Sequence, residues 1–261
     1  MTYWQGLVLG VVQGLTEFLP ISSSGHLVVA EAAVGLTTPG LVVEVALHVA
    51  TLLAVVIVYR TRLWQLARDA LGGSSSAWRY IGLLFVGSIP AGLVGFFLAD
   101  LFERAFESLL LVGVDFMVTG LILWSTRWAR PSSSRQEPSR SGALGIGVAQ
   151  ALAILPGISR SGTTVAAALW QRVDPVRAAE FSFLLAIPAI LGAAVLQVPN
   201  LAADTESVGF GPLALSFAAA LVAGVWAIRF LVALLRKGAF HRFAPYCWAI
   251  GAVTVTWALL G

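Results

Sequence analysis

Two apolar stretches of this chain are broken in the middle, one by LPISSSGH and the other by LPGISRSGTT. Proline, glycine and consecutive hydroxyl residues stop a helix, and each half left over is too short to cross a bilayer. Freed backbone groups survive at membrane depth only when they are buried in protein or line a wet cavity. The pattern therefore predicts two re-entrant helix-loop-helix hairpins, over residues 3–35 and 143–172. Six unbroken stretches, about residues 41–59, 80–99, 109–126, 178–198, 212–235 and 244–260, are long enough to span a hydrocarbon core of about 30 Å as helices. The fold class that follows is an all-α integral membrane protein. Composition agrees: 58% of the 261 residues are hydrophobic, 11% are charged and the mean hydropathy is +0.88, which excludes a soluble globular enzyme.

The two broken regions are copies of each other. Adding 137 to the residue number carries Gly10, Val11, Gln13, Leu15, Ser22, Ser24, Gly25, Val28 and Ala30 onto Gly147, Val148, Gln150, Leu152, Ser159, Ser161, Gly162, Val165 and Ala167. The same offset carries the first three spans onto the last three. The chain thus reads as repeat 1 (1–126), a linker (127–141) rich in serine and arginine, and repeat 2 (142–261). A re-entrant hairpin returns to the side it left, so each repeat makes three crossings and the second enters the membrane inverted, the construction in which discontinuous helices meet near the midplane.

Charge predicts the orientation. Arg60, Arg62, Arg68 and Arg79, then Arg127, Arg130, Arg135 and Arg140, then Arg236, Lys237 and Arg242 fall in alternate loops, which are expected to be cytoplasmic. The opposite loops hold Asp100, Glu103, Arg104 and Glu107, then Asp204 and Glu206, an excess of acid. Both termini and the first hairpin then start from the outer face. Fifteen of the sixteen basic residues are arginine, and they sit in a few loops instead of forming one basic face, so nucleic acid is not an expected partner. The single cysteine, Cys247, excludes an intrachain disulfide or a cysteine-based metal cluster. The segment MTYWQGLVLGVVQG lacks the basic start and small-residue cleavage site of a signal peptide and reads as mature protein.

Ionisable groups within apolar segments are costly, which makes each one a functional candidate. They are Glu17, His26, Glu31, Glu44, His48, Asp115, Arg160 and Glu180, with Asp174 and Arg229 nearer the edges. Glu17, His26 and Arg160 fall in or beside the two breaks. Gln13 and Glu17 lie one helical turn apart, on one face; after them come Ser22, Ser23, Ser24, Gly25 and His26, while the second break supplies Ser159, Arg160, Ser161, Gly162, Thr163 and Thr164 at the opening of a short helix. Hydroxyls and N–H groups at a helix start bind anionic oxygens, and arginine offers a planar, permanently charged fork for phosphate. A carboxylate beside an amide oxygen can hold a hard divalent cation that also bridges to phosphate, and a serine within reach of a base can act as nucleophile. Serine and glycine also allow close helix packing in membranes, a reading as good as phosphate binding for each serine taken singly. For Glu44, His48 and Asp115, polar groups satisfying one another inside a bundle serve as well as a function.

With these residues in place, QGLTEFLPISSSGH followed by LPGISRSGTT resembles the two signature motifs of the bacterial undecaprenyl-diphosphate phosphatase family, also called the bacitracin-resistance family. The resemblance extends to EVALHVATLLAV and AAEFSFLLAIPAILGA and so covers essentially the whole chain. It implies removal of the terminal phosphate from undecaprenyl diphosphate, which regenerates the monophosphate carrier lipid for cell-wall synthesis. It also implies a divalent cation (Mg or Ca), the bacterial plasma membrane, and an active site open to the outer face; a homodimer is compatible with it. Carried onto this chain, the resemblance makes Gln13 and Glu17 the metal residues and Ser23 the nucleophile. His26 becomes the imidazole and Arg160 the phosphate-binding guanidinium, while Ser22, Ser24, Ser159, Ser161, Gly162 and Thr164 complete the phosphate cradle. Glu17 and His26 remain alternatives for taking the Ser23 proton. The competing function is a transporter or flippase of a polyprenyl phosphate, since inverted repeats with paired broken helices also build alternating-access carriers. A structural membrane protein without a ligand would leave Arg160 unexplained.

Overall fold

A computed structural model of the protein describes residues 1–34, 41–129, 135–197 and 209–260. Among these the chain is helical: α1 (Tyr3–Phe18), α2 (Ser23–Val34), α3 (Leu41–Leu71), α4 (Ser75–Phe97), α5 (Ala99–Phe106), α6 (Leu109–Ser125), α7 (Arg140–Leu152), α8 (Arg160–Trp170), α9 (Pro175–Gln197), α10 (Phe210–Arg236) and α11 (Ala244–Leu260). Six helices are long and apolar enough to cross a membrane, so the all-α, multi-pass expectation holds. Residue 35 of the first hairpin, residues 130–134 of the linker, Val198, Asp204, Glu206 and residue 261 lie outside the described residues, as do the side chains of Glu31, Asp100, Glu103 and Arg104.

Both breaks have local causes. Thr2 opens α1 with a capping box, its hydroxyl accepting from Gln5 N while Gln5 accepts from Thr2 N. Leu19, forced out of the helical region by the proline after it, ends that helix (φ −66°, ψ 146°). The second break runs from Ala153 to Ser159 and turns at Gly157 (φ +102°), beyond which the Ser159 hydroxyl caps α8 by accepting from Gly162 N. The structure differs from expectation at two places. α3 continues past the predicted end of its span at Tyr59, where it kinks (φ −99°, ψ 16°), and remains helical to Leu71. Leu66 and Ala70 are buried and Trp78 Nε1 donates to Ala70 O, so tertiary contact holds a stretch that the arginines made look like a loop. The acidic loop after α4 likewise contains the short helix α5.

Helices in lipid associate by close packing, because lipid tails solvate leucine as well as a neighbouring helix does. Here the contact runs through glycine. Gly6, Gly10 and Gly14 of α1 lie in order against the carbonyls of Pro212, Ser216 and Ala220 of α10, so these helices run parallel with no room for a Cβ between them. Gly147 of α7 lies against the carbonyl of Gly87 of α4. Gly113 and Gly120 of α6 meet Val255 and Trp248 of α11, in antiparallel order. α3 packs on α9 and α10. Phe18, Phe181, Phe183, Leu185, Ile228 and Leu231 are buried in one apolar cluster, with Phe18 edge-on to Phe183 at 5.4 Å and Phe181 edge-on to Tyr80 of α4. Trp4, Phe85, Phe97 and Val222, by contrast, are each at least 70% exposed, an outward apolar surface suited to lipid.

Candidate active site

The starts of α2 and α8 meet at a cavity of about 170 Å³ lined by Thr16, Glu17, Ser22, Ser23, Ser24, His48, Ala153, Ile154, Ile158, Ser159 and Arg160. The two breaks are bolted together above it. Ser22, in the left-handed region at φ +67°, accepts on its Oγ from Gly25 N (3.3 Å) in its own helix and from Gly157 N (3.2 Å) in the other hairpin. From α6, Thr119 Oγ1 donates to Gly157 O (2.8 Å) and accepts from Ser159 N (3.0 Å). A non-glycine residue with positive φ costs of order 1–3 kcal/mol and persists only where its surroundings over-determine it, as these four bonds do.

Glu17 is the hub. Its Oε2 accepts from Ser23 Oγ (2.7 Å) and from Gln13 Nε2 (3.1 Å), and its Oε1 is ion-paired with Arg160 Nη2. Glu17 is 8% exposed. Breaking a buried ion pair of this kind is costly because the surviving charge has no solvent. Two polar atoms of the residues around Glu17 are buried without a partner: Arg160 Nη1 and Gln13 Oε1. A buried guanidinium N–H without a protein partner can donate to an anion, and a buried amide oxygen can accept from a donor or bind a cation. The serine, the carboxylate and the arginine come from three separate helices, α2, α1 and α8.

A second cavity of about 370 Å³ shares Ser23, Ser24 and His48 with the first. Gln13, Leu27, Val28, Glu44, Leu47, Phe106 and Glu107 line the rest, so apolar side chains share its wall with two carboxylates and an amide.

The other expected site residues take different places. Ser24 lines both cavities and Ser159 the first. The imidazole expected beside Glu17 is instead turned away: His26 Nδ1 lies 2.7 Å from Ser22 O, Nε2 lies 2.7 Å from the Tyr246 hydroxyl, and the two rings stack (interplanar angle 3°) with Phe116 edge-on. His26 lines neither cavity. Three residues expected in the cradle are occupied in packing: Ser161 Oγ donates to Leu19 O, Thr164 Oγ1 donates to Arg160 O and meets Ser182 Oγ at 2.6 Å, and Gly162 N donates to the Ser159 hydroxyl. They hold the start of α8 against its neighbours. Glu180 is accounted for by Arg62 (2.8 Å) and Arg177 (2.9 Å), an ion-pair cluster joining α3 and α9. His48, which belongs to neither break, also lines both cavities. Its signal in the sequence is its place about two turns into an apolar helix, which does not tell a cavity from a core.

An all-helical, multi-pass membrane protein whose broken helices assemble a serine, a carboxylate and an arginine with a free N–H is the kind that handles phosphorylated amphiphiles. The chain matches the family model described as bacitracin resistance protein BacA over residues 6–253 and belongs to that family. Among its relatives, the undecaprenyl-diphosphatase of Desulforapulum autotrophicum is 41% identical over 98% of both chains. That of Carboxydothermus hydrogenoformans is 40% identical over 96% of this chain and 95% of its own, and that of Alkaliphilus metalliredigens 36% identical over the full length of both.

Proposed function

We propose that this protein removes the terminal phosphate of undecaprenyl diphosphate, releasing undecaprenyl phosphate and inorganic phosphate, with Ser23 as nucleophile. The observation that carries this reading is the Ser23–Glu17–Arg160 constellation with Arg160 Nη1 left unpartnered. The terminal phosphoryl group enters the smaller cavity, and its oxygens replace the missing partner of Nη1 while Nη2 keeps its hold on Glu17. As Ser23 Oγ forms its bond to phosphorus, its proton passes along the existing hydrogen bond to Glu17 Oε2 and the bridging P–O bond breaks toward the lipid phosphate. Arg160 and the two helix starts stabilise the charge spread over the equatorial oxygens, which is most of what phosphoryl transfer asks of a protein. Leu27, Val28, Leu47 and Phe106 receive the first isoprene units. His26 serves here as a positioning residue, because its Nδ1–H fixes the carbonyl of Ser22 beside the nucleophile.

Among the described residues no three His, Cys, Asp or Glu side chains gather into a self-sufficient metal site. The donors that fit a divalent cation are the unpartnered Gln13 Oε1 and the adjacent Glu17 carboxylate, a set suited to a hard ion that completes its shell with water and substrate phosphate. Such an ion would neutralise charge on the diphosphate oxygens.

The reading of residues 1–126 and 142–261 as inverted repeats is supported by an exchange of partners: α1 of the first half lies on α10 of the second, and α7 of the second lies on α4 of the first. The parallel run of α1 and α10 fits a first hairpin entering from the outer face of a bacterial plasma membrane. Release of inorganic phosphate from the C55 diphosphate by purified protein tests the function. Binding and transbilayer movement of the lipid without phosphate release would favour the transporter instead.

A further inference from the structure

Resting on the phosphoserine route just proposed, one step lacks a residue. Once Glu17 has taken the Ser23 proton it is the acid that must return it, so it is not available as the base that activates the water hydrolysing the phosphoserine. A second proton acceptor is required, facing the same cavity.

Of the two intramembrane histidines, His26 has both ring nitrogens engaged, Nδ1 with Ser22 O and Nε2 with the Tyr246 hydroxyl, and it lines neither cavity. His48 lines both, as Ser23 and Ser24 do. Its Nδ1 lies 2.9 Å from Glu44 O, one turn back in α3. A carbonyl only accepts, so Nδ1 carries the hydrogen; in the neutral ring the Nε2 lone pair is then the free one. Glu44 and Glu107 are the carboxylates that join His48 around the larger cavity, and Glu17 and Arg160 those charged groups that join it around the smaller.

We infer that His48 is a catalytic residue of the second half-reaction, its Nε2 taking a proton from the water that attacks the Ser23 phosphoryl group. The water oxygen forms the new bond to phosphorus and its proton goes to His48 Nε2. The Ser23 Oγ–P bond breaks, Glu17 returns its proton to Oγ, and inorganic phosphate leaves. The imidazolium then loses its proton to solvent, which restores the resting site.

The test is rapid-quench kinetics of purified full-length His48→Gln and His48→Ala against wild type, with undecaprenyl diphosphate labelled in the terminal phosphate. Undecaprenyl phosphate and inorganic phosphate are followed separately, and protein-bound label is mapped by mass spectrometry. Both variants should release a burst of about one undecaprenyl phosphate per protein, then slow at least tenfold in phosphate release, with label retained on Ser23. Near-wild-type phosphate release in both variants overturns the inference, as does an equal slowing of both products without bound label. Failure of wild-type protein to release phosphate at all is a different result, because it removes the phosphatase reading itself.

Discussion

Ser22 Oγ accepts the backbone N–H of Gly157 across a gap of 135 residues in sequence, and this bond joins the break of one hairpin to the break of the other. Ser22→Ala strands the N–H groups of Gly157 and Gly25 in a buried place, at a cost of about 1–3 kcal/mol. Its thermal midpoint in detergent should fall by several degrees while turnover drops less than in Ser23→Ala. Gly157→Ala should be worse, since φ is +102° and a Cβ would meet the Val112 carbonyl and the Asp115 side chain. A Gly157→Ala protein as stable as wild type would show that the joint between the breaks is not rigid.

Ser23→Ala should abolish phosphate release yet keep affinity for the lipid diphosphate, measured by equilibrium binding, because the arginine and the apolar slot are untouched. Near-wild-type turnover would make a water the nucleophile and reduce Ser23 to a phosphate ligand.

Glu17→Gln should lower turnover by about 10² or more, a scale typical for losing a proton acceptor or an oriented charge. It also frees Arg160 from its buried partner, so a thermal shift measured alongside separates lost chemistry from lost stability. Chelator should abolish wild-type activity reversibly; full activity in excess chelator removes the cation from Gln13 and Glu17.

Arg160 pairs with Glu17 through Nη2 and keeps Nη1 unpartnered. Lysine supplies a point charge and cannot serve both, so Arg160→Lys should fail nearly as badly as Arg160→Ala in kcat/KM for the diphosphate. A fully active lysine variant would show that only positive charge is needed.

The orientation is tested with cysteines at the exposed positions Ser76 and Gly209 in a Cys247→Ala background. In intact cells an impermeant thiol reagent should label Gly209→Cys and leave Ser76→Cys protected. The opposite pattern turns the protein over in the membrane.

The six long helices and the two interruptions were legible in the chain because apolarity, proline and glycine act locally. A run of about twenty apolar residues has few other ways to satisfy its backbone in lipid. Glu17 and Arg160 stood out for the same reason, as charged residues beside helix stops, whereas Ser23 was set apart from Ser22 and Ser24 only by the family resemblance. What tertiary structure decided was which polar atoms are left free. Ser161 and Thr164 look as available as Ser24 in sequence, yet their hydroxyls go to Leu19 O and Arg160 O because α8 is buried by its neighbours. His26 sits within the motif and His48 outside it, yet Tyr246 of α11 engages the first while α3 delivers the second to the cavity. Residues 26 and 246, or 48 and 23, share no local pattern. Their contacts arise from how the helices cross, and helix crossing is set by glycine-lined surfaces meeting between distant segments.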